Sequence, residues 1–253
     1  MSAALRKTLR TLAVVLFWLL IWQLAAALAG QELLLPSPLR VARELIRLAG
    51  GAEFWLTVAQ SIRRVLTGIV SAVLLGILLA LLTHKSAALR ALLSPVMTLV
   101  KSTPVASFII LALVWLGRDV VPPVIAALMV LPVVWANVSQ GLDGIDPQLL
   151  ELAQVCRLPR GRVFRRITLP SVLPHLRAAL CSALGLGWKA GVAAEILTVP
   201  ARSIGKRIYE AKIYLETTEL FAWTAAVVLL SLIIEGLLLR LVGRIGKKGG
   251  AHA

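Results

Sequence analysis

Six apolar stretches, each cut off by charged or Pro/Gly clusters, run along the chain at about residues 11–29, 58–83, 91–116, 120–138, 172–194 and 220–241. Each has roughly the 20 residues that an α-helix needs to cross the hydrocarbon of a bilayer. Backbone amides in lipid must find partners within their own segment, so each stretch predicts a helix, and the alternation of a closed barrel is absent. The first, 11–29, is as long as a full span and reads as a retained helix rather than a cleaved leader. Two shorter segments are amphipathic. Residues 36–56 can bring Leu39, Leu45, Ile46 and Leu48 to one face, and residues 201–218 space Ile204, Ile208 and Tyr209 for another, with Lys and Glu opposite. Both predict elements lying over the ends of the spans.

A third polar segment, ELAQVCRLPRGRVFRRITLPSVLP at 151–174, carries five arginines and three prolines between two apolar stretches. Asp146 and Pro147 just before it form a helix start, an acidic cap and a proline whose missing N–H costs nothing in the first turn. The helix is expected to run to about Leu158, because Pro159 disfavours helix in the residue before it. Leu149, Leu152, Ala153 and Cys156 fall at i, i+3, i+4 and i+7, an apolar stripe too short to span anything. After the break, Val163, Phe164 and Ile167 face one way and arginines the other. The pattern predicts a helix–turn–helix projection. It suits either a hairpin whose arginines meet lipid headgroups or a stripe that lies in the groove of a soluble partner.

Composition agrees with a membrane protein built as one polytopic domain: 59% of the 253 residues are hydrophobic and 15% charged, and the mean hydropathy is +0.89. The net charge of +15 is distributed unevenly. One set of alternate segments holds fifteen Lys and Arg, including both terminal segments and the 157–177 cluster, whereas the other holds eight, or ten with Arg63 and Arg64. The basic-rich side is predicted to be cytoplasmic, with both termini and the hairpin inside. This topology accounts for the charge without nucleic acid, for which no basic soluble module is present. Cys156 and Cys181, one in a polar loop and one in a span, suit isolated thiols rather than a disulfide framework. His84, His175 and His252 are scattered, and Asp119, Asp143 and Asp146 all fall in loops, which leaves no metal spacing and no paired carboxylates for catalysis.

Charges within spans have few reasons to be there. Lys101 and Lys189 each cost on the order of 3 kcal/mol in lipid and must face protein or water. They can line a path that attracts an anionic solute, or pair structurally, as Lys189 with Glu195. Gly185, Gly187 and Gly191 around Lys189 permit close helix approach or local unwinding, which suits a path that opens and shuts. Glu235 reads as a pairing partner or an end-of-span residue, and Pro104, Pro122, Pro123 and Pro132 as bends in spans three and four.

The hairpin resembles the EAA loop of the permeases of binding-protein-dependent ATP-binding cassette (ABC) importers. Glu151, Leu152 and Ala153 stand for E-A-A, Ile167 for the aliphatic position, and Leu169 and Pro170 for the final L-P. Arg157 occupies the place of the family glycine, so the turn is expected to rely on Pro159 and Gly161 instead. The resemblance covers about 57–242 and is closest to the nitrate, sulfonate and taurine subgroup, through SIRRVLTGIVSAVLLGILLALL, KSTPVASFIILALVWLG and GWKAGVAAEIL. It implies an all-α protein with six transmembrane helices and a cytoplasmic coupling helix between spans four and five. The organisation would be a leading segment 1–56, the permease core 57–242 and a basic tail 243–253. It also implies residence in the plasma membrane of a bacterial or archaeal cell, a homodimer of permeases, a cytoplasmic ATPase pair that grips Glu151 and the helix around it, and an external substrate-binding protein. No G-x-x-x-x-G-K-[ST] occurs, so ATP and Mg belong to the ATPase and no cofactor is expected on this chain. The competing reading is an ion-coupled transporter working alone, which needs a buried acid at mid-membrane, and only Glu195 and Glu235 come near.

Overall fold

The computed structural model describes residues 3–247, and helices are the regular structure throughout them. Five helices are long and apolar enough to cross a membrane: α1 (Ala3–Ala29), α3 (Ala52–Lys85), α6 (Val121–Asp143), α9 (Leu169–Thr198) and α11 (Thr217–Lys247). The expected third span, 91–116, is not one helix. It is a pair, α4 (Ala87–Ser102) and α5 (Val105–Trp115), bent by 107° at the break. Pro104 is the cause: it forces Thr103 into extended backbone at ψ 134, where a helix cannot continue. The pair still joins the two ends of the bundle, because Arg90 in α4 reaches Asp143 at the end of α6 and Asp119 beyond α5 reaches Arg64 in α3. Pro122 and Pro123 start α6 rather than bend it, and Pro132 sits within a continuous helix.

α6 is the centre of the bundle and packs mainly on α3 and α9. Its buried Val130, Val134 and Val138 share a core with Val65, Ile69 and Ala72 of α3 and Ala183 and Trp188 of α9, while Ile125 packs in a second cluster with Ile109 of α5 and Ala190 and Ala194 of α9. The helices come close because small residues stand at the crossings. A Cβ on Gly68 would lie 2.1 Å from the Pro123 carbonyl oxygen, and one on Gly187 would lie 2.7 Å from Val130. α1 stands at the periphery, its apolar surface open to lipid, held by a Trp22–Phe221 ring contact at 6.0 Å.

Both amphipathic segments are helices: α2 (Pro38–Ala49) and α10 (Ile204–Ile213). In α2 the face turned to the core is Val41, Leu45 and Leu48, whereas Leu39 and Ile46 are exposed. α2 carries the Arg47–Glu44 pair, and that guanidinium holds the Glu44 carboxyl below its ordinary range. α10 buries Ile204 and packs Ile208, while Tyr209 stays partly open. The last helix, α11, runs on to Lys247, and the end of the expected basic tail, 248–253, lies outside the described residues.

Candidate functional site

The hairpin lies at the end of the bundle where α3 ends and α4 begins. Asp143 fixes that end by accepting from Arg90 at 2.5 Å and His84 at 3.2 Å. Two residues on, Asp146 caps α7 (Pro147–Val155), its carboxylate accepting from the Gln148 amide at 2.9 Å, as the sequence leads one to expect. The apolar stripe is split between two faces. Ala153 is buried against the chain's own body, whereas Leu149, Leu152 and Val155 are exposed, Val155 at 80%. Val155 lies outside the i, i+3, i+4 stripe, which is why periodicity passes over it. Glu151, Cys156, Pro159, Gly161 and Pro170 are exposed as well.

The turn after α7 differs from the expectation. Arg157 itself takes the left-handed backbone at φ 46, and Gly161 lies inside α8 (Arg160–Val163). Leu158 N–H reaches the Ala153 carbonyl and Arg157 N–H the Gln154 carbonyl, each at 2.9 Å. That is the Schellman ending in which glycine is the preferred left-handed residue. Arg157→Gly is therefore expected to relieve about 1 kcal/mol of backbone strain. The measurement is thermal unfolding in detergent, with a rise of about 2–4 °C expected; a fall would show that the arginine side chain more than offsets its own strain.

The second arm is not a separate helix. α8 continues through a π-helical turn (Phe164–Thr168) into α9, giving one helical rod over Arg160–Thr198. The wide turn ends just before Pro170, and Pro170 and Pro174 each lack an N–H to give, yet the rod runs on past both. Leu169 and Pro170 thus lie in the first turn of α9, within the rod.

At the opposite end α9 carries Glu195, which is 0% exposed and is not paired with Lys189. Its Oε1 accepts from Arg64 Nη1 at 2.8 Å, and its Oε2 accepts from Ser61 Oγ at 2.8 Å and from the Gly205 amide at 3.3 Å. Arg64, itself 13% exposed at the side chain, also donates to Asp119 at 3.0 Å and to the Ala201 carbonyl at 3.2 Å. Every oxygen of Glu195 is occupied and its charge is matched, so it offers no open seat for a transported cation. The short link from α9 to α10 holds two non-glycine residues in left-handed backbone, Val199 at φ 49 and Arg202 at φ 46. Such positions cost on the order of 1–3 kcal/mol each and persist where the surroundings over-determine them.

Gly187 and Gly191 face inward, against Ile69 and Val130 and against Val65, and serve helix packing inside the protomer. Gly185 lies under the Glu235 carboxylate, where an added Cβ would come within 2.6 Å. Lys189 is exposed with Leu186 and Leu197 along one side of α9, and Lys101 is exposed near the break after α4. Above Leu197 is an open recess of about 560 Å³ lined by Leu113, Leu116, Arg118, Thr198 and Tyr209 among others. The sequence reading missed Val155, Ser61, Arg64 and Gly205. Of these only the Ser61–Arg64 pair, polar residues one turn apart inside an apolar helix, carried a signal.

Residues 72–247 match the family described as "Binding-protein-dependent transport system inner membrane component". The taurine transport system permease protein TauC of Escherichia coli is 26% identical over 243 residues, covering 93% of this chain and 86% of TauC. The bicarbonate transport system permease protein CmpB of Synechocystis is 30% identical over 210 residues, covering 78% of this chain and 74% of CmpB. A chain of a bacterial alginate ABC transporter, solved in complex with an alginate pentasaccharide-bound periplasmic protein, superposes with a TM-score of 0.62 at 15% identity, covering 97% of this chain and 95% of that one.

Proposed function

The chain belongs to the family of inner membrane components of binding-protein-dependent transport systems and is the permease subunit of an ABC importer; from that premise we propose that the exposed apolar face of α7 is where a separate ATPase grips it. The observation that carries this reading is the cluster of Leu149, Leu152 and Val155, open on a nine-residue helix held rigidly at its start. An apolar helical face of that size fits a groove in a partner. The hairpin end is then cytoplasmic, in keeping with its excess of Lys and Arg. ATP and Mg are bound by the ATPase pair, and closure of that pair moves α6 and α9.

The solute reading follows from the other face. Leu186, Lys189 and Leu197 lie exposed along α9, with Arg118 in the recess beside them. A second copy of the chain closing over this side makes a path with basic residues along it. Taurine carries a sulfonate and bicarbonate is an oxyanion, so small oxyanion-bearing solutes suit both the relatives and these charges. The periplasmic protein bound to the alginate transporter supports an external binding protein as the source of that solute.

The test is a disulfide trap. With Cys156 and Cys181 replaced by Ser, a cysteine at Leu152 is expected to cross-link to a co-expressed ATPase to an extent that changes between nucleotide-free and ATP-bound states. No adduct in any nucleotide state would remove the docking reading.

A further inference from the structure

The link from α9 to α10 does not hold α10 in place by its own preference, since Val199 and Arg202 are both in left-handed backbone. What fixes α10 is its first turn. Ile204 N–H donates to Ser61 Oγ at 2.9 Å, Gly205 N–H to Glu195 Oε2 at 3.3 Å, and Lys206 N–H to Ser203 Oγ at 3.0 Å. Free amides of a helix start are ordinarily left to water or to a local cap, yet here one is held by α3 and another by α9. The contact is also tight. A Cβ on Gly205 would lie 2.4 Å from the carbonyl carbon and the Cβ of Glu195. A single carboxylate, fully buried, thus joins three elements: α3 through Ser61 and Arg64, α10 through Gly205, and its own helix.

That helix is the rod Arg160–Thr198, whose other end is the hairpin. At 1.5 Å per residue its 39 residues span about 58 Å. We propose that Glu195, with Ser61 and Arg64, is a latch that makes the position of α10 and the position of the α9 rod one variable, so that movement at the hairpin is felt at α10 and movement of α10 at the hairpin. Glu195 is a positioning residue and touches no solute. Two properties suit it to a switch rather than a brace. A buried polar network has few intermediate arrangements, being either satisfied or costly. The strained link also favours release as soon as the first turn of α10 lifts. This inference rests on the reading that a nucleotide-driven partner holds the hairpin.

Coupling between two sites is reciprocal, so the latch can be tested from the ATPase end with no knowledge of the solute. The permease–ATPase complex in nanodiscs is compared nucleotide-free and trapped with ATP and orthovanadate, and amide exchange is followed over 146–163 and 204–213. In the wild type, trapping is expected to change exchange in both segments, by about fivefold or more in 204–213. In Glu195→Gln the hairpin is expected to respond as before while the response of 204–213 disappears. A merely structural role would lower the melting temperature and leave that response in place. Persistence of the α10 response in Glu195→Gln, or its absence in the wild type alongside a responding hairpin, overturns the latch. A hairpin that ignores nucleotide in the wild type instead overturns the docking reading beneath it. If Glu195→Gln fails to assemble, Ser61→Ala decides: it keeps the Arg64–Glu195 bond and removes both bonds through Ser61, and an undiminished α10 response in it overturns the proposal.

Discussion

Val155→Glu is expected to leave the membrane protein folded and to weaken its hold on the ATPase by about a hundredfold. Val155 is 80% exposed at the end of α7, so the chain alone has little stake in its side chain. Substitutions at such positions move stability by about 0.5 kcal/mol or less. In a groove that excludes water the same residue is in a different place. An unpaired carboxylate there costs about 3 kcal/mol or more, and each 1.4 kcal/mol is a factor of ten in affinity. The measurement is a titration of purified ATPase onto the permease in nanodiscs, beside thermal unfolding of the permease alone. Val155→Leu, which enlarges the apolar contact and adds no charge, should bind within a few-fold of the wild type. Binding of the Val155→Glu chain at wild-type strength would mean that the ATPase sits elsewhere. The same comparison with Ala153→Glu is uninformative, because Ala153 is 4% exposed and belongs to the fold.

The split between Ala153 and Val155 shows where sequence reasoning stops. Periodicity identifies a short amphipathic helix, and Asp146–Pro147 marks its start to the residue. It does not say which side of the helix the body of the protein takes, because a small residue and a large one both count as apolar. Five of the six expected spans were legible for the opposite reason: lipid leaves a long apolar stretch of backbone no alternative to helix. The bend at Thr103–Pro104 was less legible, since a proline in an apolar run can start, bend or interrupt a helix, and here Pro104, Pro122 and Pro132 do three different things. Arg157 adopts a left-handed conformation that glycine would take more easily because the Schellman bonds around it outweigh its preference. Glu195 was visible as a charge in an apolar helix, but its partners stand 134 and 131 residues away, and only the folded chain brings Ser61 and Arg64 to it.

Arg64→Ala is expected to destabilise the protein by about 3–5 kcal/mol, far more than Glu195→Gln, although the two residues share one ion pair. The asymmetry comes from what each change leaves behind. Without Arg64 the Glu195 carboxylate remains at 0% exposure with only the Ser61 hydroxyl and the Gly205 amide, and its charge is unmatched. Without the Glu195 charge, Arg64 keeps Asp119 at 3.0 Å and the Ala201 carbonyl at 3.2 Å, and a glutamine oxygen turned to Arg64 still accepts from it, while its amide NH2 faces Ser61 and the Gly205 N–H, which lose their acceptor. Asp119 is 64% exposed at the side chain, so water shares the load on that side. The double variant Arg64→Met with Glu195→Gln removes both charges and keeps much of the volume, and it should recover most of the loss, within about 1–2 kcal/mol of the wild type. Thermal unfolding in detergent of Arg64→Met, which leaves the same unmatched carboxylate as Arg64→Ala, of Glu195→Gln and of the double variant reads the cycle directly. Equal loss in Arg64→Met and in the double variant would show that the arginine acts through Asp119 and Ala201, binding the 117–120 loop to the α9–α10 link, and that the buried carboxylate is held by its neutral donors alone.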